Sequence, residues 1–202
     1  AAFAAWARAT RVGALGAGRW LGQWTPRSEL ASRPRPSGSS AAPVPDGSTK
    51  PIAELKERDA IVGTERHGWY RRYVKTRVLA HWSVTKAAVR ITLKDGRTLV
   101  TGHDHRFLPE RGWKFVTDTT AKRPALTVHE RLMGLPKGAN VPSGKVIEGQ
   151  VVTSASSLSI ASIEPLGQEM RLFDITTGTE DFIANGVVSH NCYARPSHAY
   201  VG

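Results

Sequence analysis

Cysteine is nearly missing from this chain. Its 202 residues hold one, Cys192. That excludes an internal disulfide, and it excludes a zinc site or iron–sulfur cluster built from this chain's cysteines alone. A reducing, cytoplasmic setting is the expectation that follows. No apolar run reaches membrane-spanning length, so no transmembrane helix is expected. Amphipathic patterning never extends past about two helical turns. Acidic residues are scarce at the start: residues 1–45 carry six arginines against Glu29. Nowhere do lysine and arginine form the dense block typical of nucleic-acid binding, so the net charge of +11 reads as a generally basic surface, without nucleic acid as an expected partner.

Glycine and proline, by contrast, are plentiful, at 19 and 12 residues. Many turns favour an all-β fold. Residues 1–42 form a low-complexity basic tail that passes through RPRPSGSSAAPVP, a composition that buries little. Its alanine and arginine bias resembles that of an organellar transit segment, but a disordered tail, or a misassigned start that includes non-native codons, is the favoured reading. Regular patterning begins after it. In AVRITLKDGRTLV, Val89, Ile91 and Leu93 alternate with polar residues and Asp95-Gly96 predicts a hairpin turn. HRFLPERGWKFV repeats the pattern around a second turn. Residues 134–160 read as a long loop with weak strands near Val146–Val152 and Leu158–Ile163. FDITTGTEDFIA and GVVSH flank Asn185-Gly186, which predicts a third hairpin.

That last hairpin aims at His190, Asn191 and Cys192. An asparagine side-chain nitrogen can attack its own backbone carbonyl, closing a succinimide and breaking the following peptide bond. The reaction needs a polarised carbonyl and a proton for the departing amine, and a histidine next to the asparagine is a suitable acid near neutral pH. A thiol at the next position is a nucleophile for acyl transfer.

With those residues in view, the chain resembles an intein, a protein-splicing domain of the Hint family. FDITTGTEDFIANGVVSHN followed by cysteine matches the C-terminal splicing motifs, DGSTKPIAELKERDAIVG the early Hint segment, and KDGRTLVTGHDHRFLPERGWKFV the Thr-x-x-His hairpin. The resemblance covers about residues 43–191. It implies an all-β horseshoe of curved antiparallel strands and hairpins, needing no cofactor, acting as a monomer on its own flanking exteins. It assigns His105 to the upstream scissile amide and Asp174 to coupling the early acyl steps to cyclisation. His190, Asn191 and Cys192 take the C-terminal roles, and Asp104, Thr101 and Glu180 are supporting candidates. The segment from 117 to 165 is too short for a homing endonuclease, which implies a mini-intein. On a strand, His103 and His105 face the same way, but two histidines and one acid make a poor metal site.

Three positions depart from the family pattern. No cysteine stands at the upstream splice position, where Ser37, Ser39 or Ser40 is the available nucleophile. Gly102 replaces the threonine of Thr-x-x-His. Glu180 sits near the place of a second histidine. All three predict an impaired N-terminal step beside a retained C-terminal one. Residues 192–202, CYARPSHAYVG, resemble the cluster loop of a radical-SAM enzyme related to spore photoproduct lyase. Cys192 would be one ligand of a [4Fe–4S] cluster, with S-adenosylmethionine, in the complete host only. The alternative reading is an inactive Hint-derived basic β-domain, or a broken gene fragment, acting as a binding module if at all.

Overall fold

The computed structural model describes residues 40–46, 48–117, 122–136 and 148–191. Among them there is no α-helix. Eleven strands and one 3-10 turn at Ile52–Glu54 make up the regular structure, as expected of an all-β chain. β1 (Ala41–Pro43) and β2 (Thr49–Pro51) form a small hairpin. β3 (Ala60–His67), β4 (Tyr70–Leu93) and β5 (Thr98–Gly102) follow as a meander. β6 (Arg106–Phe107), β7 (Lys114–Phe115) and β8 (Arg131–Gly134) are short. β9 (Thr153–Thr177) precedes the closing hairpin of β10 (Asp181–Ala184) and β11 (Val187–His190).

β4 and β9 are 24 and 25 residues long and pair antiparallel along most of their length. Their register shifts at Val78/Ala80, Ala87/Val89 and Thr92/Leu93. Each shift bends and twists the ribbon locally. This corrects the reading of residues 134–160 as a long loop with weak strands: β9 is already regular at Thr153 and continues well beyond Ile163. Pro165 and Gly167 look like breaks in the sequence. In the fold they fall next to the Ala87/Val89 irregularity, and Gly167 has φ +66°, so both residues sit where pairing is already relaxed.

The three predicted hairpins form. At Asn185-Gly186 both residues have positive φ (47° and 84°), and Ala184 pairs with Val187. That is the two-residue turn whose twist matches antiparallel strands. At Asp95-Gly96 only Gly96 is left-handed, at φ 83°, and Arg97 extends the loop.

Ala41 and Ala42 lie within the stretch read as tail, yet they form part of β1, and Ala42 is fully buried. The cause is a long-range contact. Asn185 Oδ1 accepts the Ala41 N–H at 2.7 Å, and the Ala41 carbonyl accepts the Asn185 N–H at 2.8 Å. The hairpin turn therefore supplies the partner that local composition could not reveal. Ala42 then packs with Ile52, Leu55, Ile61, Ile175 and Phe182. A second cluster around Ile91, Leu99, Leu132 and Leu158 fills the space between β4, β5, β8 and β9. The predicted apolar face of 89–93 supplies part of the second cluster, and Ile52, Leu55 and Ile61 supply part of the first.

Candidate active site

Register carries the site residues together. Ser189 on β11 pairs with Phe107 on β6, so the segment His105–Arg106 lies alongside Ser189–His190. β10 pairs with β11 so that Asp181 opposes His190. The turn Gly178–Glu180, which joins β9 to β10, then closes over the end of β11.

That turn is anchored from β3. Thr64 donates to the Asp181 carboxylate from its N–H at 2.6 Å and from its hydroxyl at 2.5 Å. A Cβ at Gly63 would collide with Thr179 Oγ1 and crowd the Asp181 carbonyl, so the close approach requires glycine. Burial pushes the Asp181 carboxyl up to about 6, against the Thr64 hydrogen bonds and the Arg71 charge. Arg71 Nη2 lies 3.3 Å from Asp181 and its guanidinium sits over the Trp113 ring. Trp113 meets the His190 ring edge-to-face at 4.7 Å. A buried carboxylate, a guanidinium and an indole thus fix the plane of the imidazole.

Asn191 is 2% exposed. Its N–H donates to the Glu180 carbonyl at 3.0 Å. Its side-chain Nδ2 donates to the Thr177 carbonyl at 3.2 Å. Thr177 Oγ1 lies 3.3 Å from Asn191 Oδ1 but 2.8 Å from the Asp181 carbonyl, and the single hydroxyl proton favours the shorter bond. The amide is therefore held chiefly through its nitrogen end. His190 Nδ1 is 2.6 Å from the Asn191 carbonyl oxygen, so an Nδ1 proton points at the carbonyl that cyclisation must polarise. Burial lowers the His190 pKa, the hydrogen bond to the Asn191 carbonyl raises it, and the Arg106 charge lowers it further.

The upstream candidates gather in a neighbouring cavity of about 60 Å³, whose lining includes Ser40, Thr101, Asp104, His105, Asp174 and Ser189. His105 is buried. Its Nε2 lies 2.7 Å from Ser189 Oγ, and its Nδ1 faces Asp174 Oδ2 at 3.8 Å. A carboxylate on the Nδ1 side favours the proton there, which leaves Nε2 to accept from the serine hydroxyl. Burial lowers the His105 pKa, and the charges of Asp174 and Asp104 oppose it. Asp104 pairs with Lys86 at 2.5 Å. Burial works against its ionisation, but the Lys86 hydrogen bond and charge prevail and hold its pKa down.

Gly102 now has a physical explanation. A Cβ there would stand 2.9 Å from Asp104 Oδ1 and 3.4 Å from Lys86 Cδ. The Lys86–Asp104 pair fills the space a threonine would need. Thr101 reaches the cavity from the adjacent position. Glu180 reaches the site through its backbone: φ is 62°, and its carbonyl takes the Asn191 N–H. Ser37, Ser39 and Cys192 lie outside the described residues. Among the described residues, no group of three or more histidine, cysteine, aspartate or glutamate side chains is placed to hold a metal, and no helix is long and apolar enough to cross a membrane.

Sequence reading missed Ser189, Thr177, Arg106 and Trp113. None has a distinctive local signal. Only the 189-to-107 pairing could have shown that Ser189 reaches His105.

Many solved structures are similar to this chain. One is a variant of the Ssp DnaB mini-intein, at 22% identity and TM-score 0.60, covering 77% of this chain and 91% of that one. Another is the DnaB intein from Synechocystis sp. PCC 6803, at 21% and 0.56, covering 77% and 96%. The gp41-1 intein matches at 22% and 0.52, covering 76% and 94%. At these identities the likeness carries the fold: the chain has the all-β Hint architecture of mini-inteins. No protein-family model matches the sequence, and no curated protein is similar to it in sequence.

Proposed function

We propose that residues 43–191 are a self-processing protein-splicing domain whose C-terminal cleavage is retained and whose N-terminal acyl shift is impaired. The contact that carries this reading is the 2.6 Å approach of His190 Nδ1 to the Asn191 carbonyl oxygen. Protonated at Nδ1, His190 polarises that carbonyl. Asn191 Nδ2 attacks the carbonyl carbon and loses a proton. The new C–N bond closes a succinimide, the peptide bond to Cys192 breaks, and the departing amine takes up a proton. Both reacting groups belong to one residue, and well-oriented intramolecular reactions reach effective molarities of about 10⁵–10⁸ M. The chain acts on itself in a single turnover and needs no cofactor for this step.

The upstream side is less well equipped. Ser40 shares the cavity with His105, but a serine hydroxyl is a weak nucleophile at its free pKa. Gly102 offers no hydroxyl, and His105 Nε2 is engaged by Ser189. In this reading Asp174 tunes His105, Asp104 and Thr101 shape the cavity, and Glu180 holds the Asn191 backbone. Cys192 and the residues after it belong to the downstream extein, in the complete host a radical-SAM protein with Cys192 on its [4Fe–4S] cluster. The residues before β1 precede the domain as a tail.

Intact mass spectrometry of the purified chain during incubation tests the proposal. Wild type should shed residues 192–202, and the Asn191→Ala chain should keep them. Equal loss in both would contradict cyclisation.

A further inference from the structure

His190 Nδ1 has two neighbours that it cannot satisfy together. The Asn191 carbonyl oxygen lies at 2.6 Å and Arg106 Nη2 at 3.1 Å. A guanidinium only donates, and a carbonyl only accepts. With a proton on Nδ1, the imidazole serves the carbonyl and turns an N–H toward the Arg106 cation. With the proton on Nε2, the Nδ1 lone pair accepts from Arg106 and the carbonyl loses its polarising donor.

We propose that Arg106 is a positioning residue that competes with the Asn191 carbonyl for His190 Nδ1 and so restrains C-terminal cleavage. The inference rests on the proposed cyclisation. It assigns Arg106 the role of holding the inactive arrangement of the imidazole.

The surroundings make the competition local and defined. Arg106 sits on β6 with its guanidinium 5.6 Å from the centre of the Phe115 ring, so the side chain has a resting place next to His190. Trp113 packs edge-to-face against the His190 ring at 4.7 Å, a contact that favours the observed ring orientation, in which Nδ1 faces both partners. The other charged or titratable groups around His190 come from several elements. Asp181 opposes it on β10, with Arg71 bound to that carboxylate. Glu180 and Asp174 favour the protonated ring, and Arg106 disfavours it. His105 couples to it from beyond Ser189. Of these, Arg106 is the cation placed within hydrogen-bond distance of Nδ1.

The test uses the full chain in two backgrounds. In wild type, Arg106→Met should speed release of residues 192–202 by roughly two- to tenfold near neutral pH, the range expected for losing one competing hydrogen bond. The midpoint of the pH–rate profile should also move up, and Arg106→Lys should fall between the two. In the uncleavable Asn191→Ala background, nitrogen NMR of His190 should show a raised titration midpoint and more proton on Nδ1 when Arg106→Met is added. The spectrum also reports whether the variant is folded, and Arg106→Lys serves if it is not. An unchanged His190 titration, or a slower cleavage with an unchanged pH profile, would overturn the role of Arg106. A shifted titration in a chain that never cleaves would leave the competition for His190 Nδ1 standing and sink the proposed function instead.

Discussion

The two halves of the site meet at adjacent residues of β11, Ser189 and His190, and are built differently. On one side, His190 and Asn191 touch each other at the atoms that cyclisation uses, and Thr177, Glu180, Trp113 and Arg106 supply the framing contacts. On the other, His105 gives Nε2 to Ser189, and a Lys86–Asp104 pair occupies the volume beside Gly102. The fold is intact on both sides. What differs is which polar atoms are aimed at a reacting bond. Under the proposed function, a domain would thus keep its architecture and one reaction while the groups for a second are turned to packing and pairing.

Exchanging the histidines tests that contrast most strongly. His190→Ala should slow release of residues 192–202 by about 10²–10⁴-fold, the usual range for losing a general acid. His105→Ala should leave release within about tenfold of wild type, because His105 meets β11 through Ser189 and not through the Asn191 carbonyl. Comparable losses in both variants would erase the distinction.

The pH dependence sharpens it. His190 must carry a proton on Nδ1 to polarise the carbonyl, and burial sets its pKa below the ordinary imidazole value. Release should therefore accelerate as pH falls, with a midpoint below that of an exposed histidine. A rate that rises with pH would contradict the assignment.

Smaller effects belong to the upstream side and the frame. Gly102→Thr should cost about 1 kcal/mol in chemical denaturation, since the new side chain must displace a partly exposed ion pair. Adding Asp104→Ala should recover part of that loss. Asp181 makes a prediction about stability against pH. Its folded pKa, about 6, lies above the unfolded value of about 4. The folded state therefore holds this proton more tightly. The resulting stability is present below pH 4 and is lost as pH rises to about 6. Asp181→Asn should remove that part of the pH dependence.

The sequence made some of this legible because the signals were local. Asn185-Gly186 encodes its turn in two residues, and alternation in 89–93 encodes a half-buried strand. The lengths of β4 and β9 were hidden because bulged strands break their own alternation, and Pro165 with Gly167 mimics a strand end. β1 was hidden because, beyond its short hairpin with β2, it is tied to Asn185, 144 positions away. The residues proposed to react were visible by type and order. The groups that hold them, Ser189, Thr177 and Arg106, are ordinary polar residues whose roles come from register alone.

Following both ends of one purified chain by intact mass spectrometry, with and without hydroxylamine, tests the asymmetry between the two junctions. Time-dependent loss of residues 192–202 is expected, with no cleavage upstream of the β-domain under either condition. Hydroxylamine-dependent cleavage near residue 40 with Asn191 still bonded to Cys192 would contradict it.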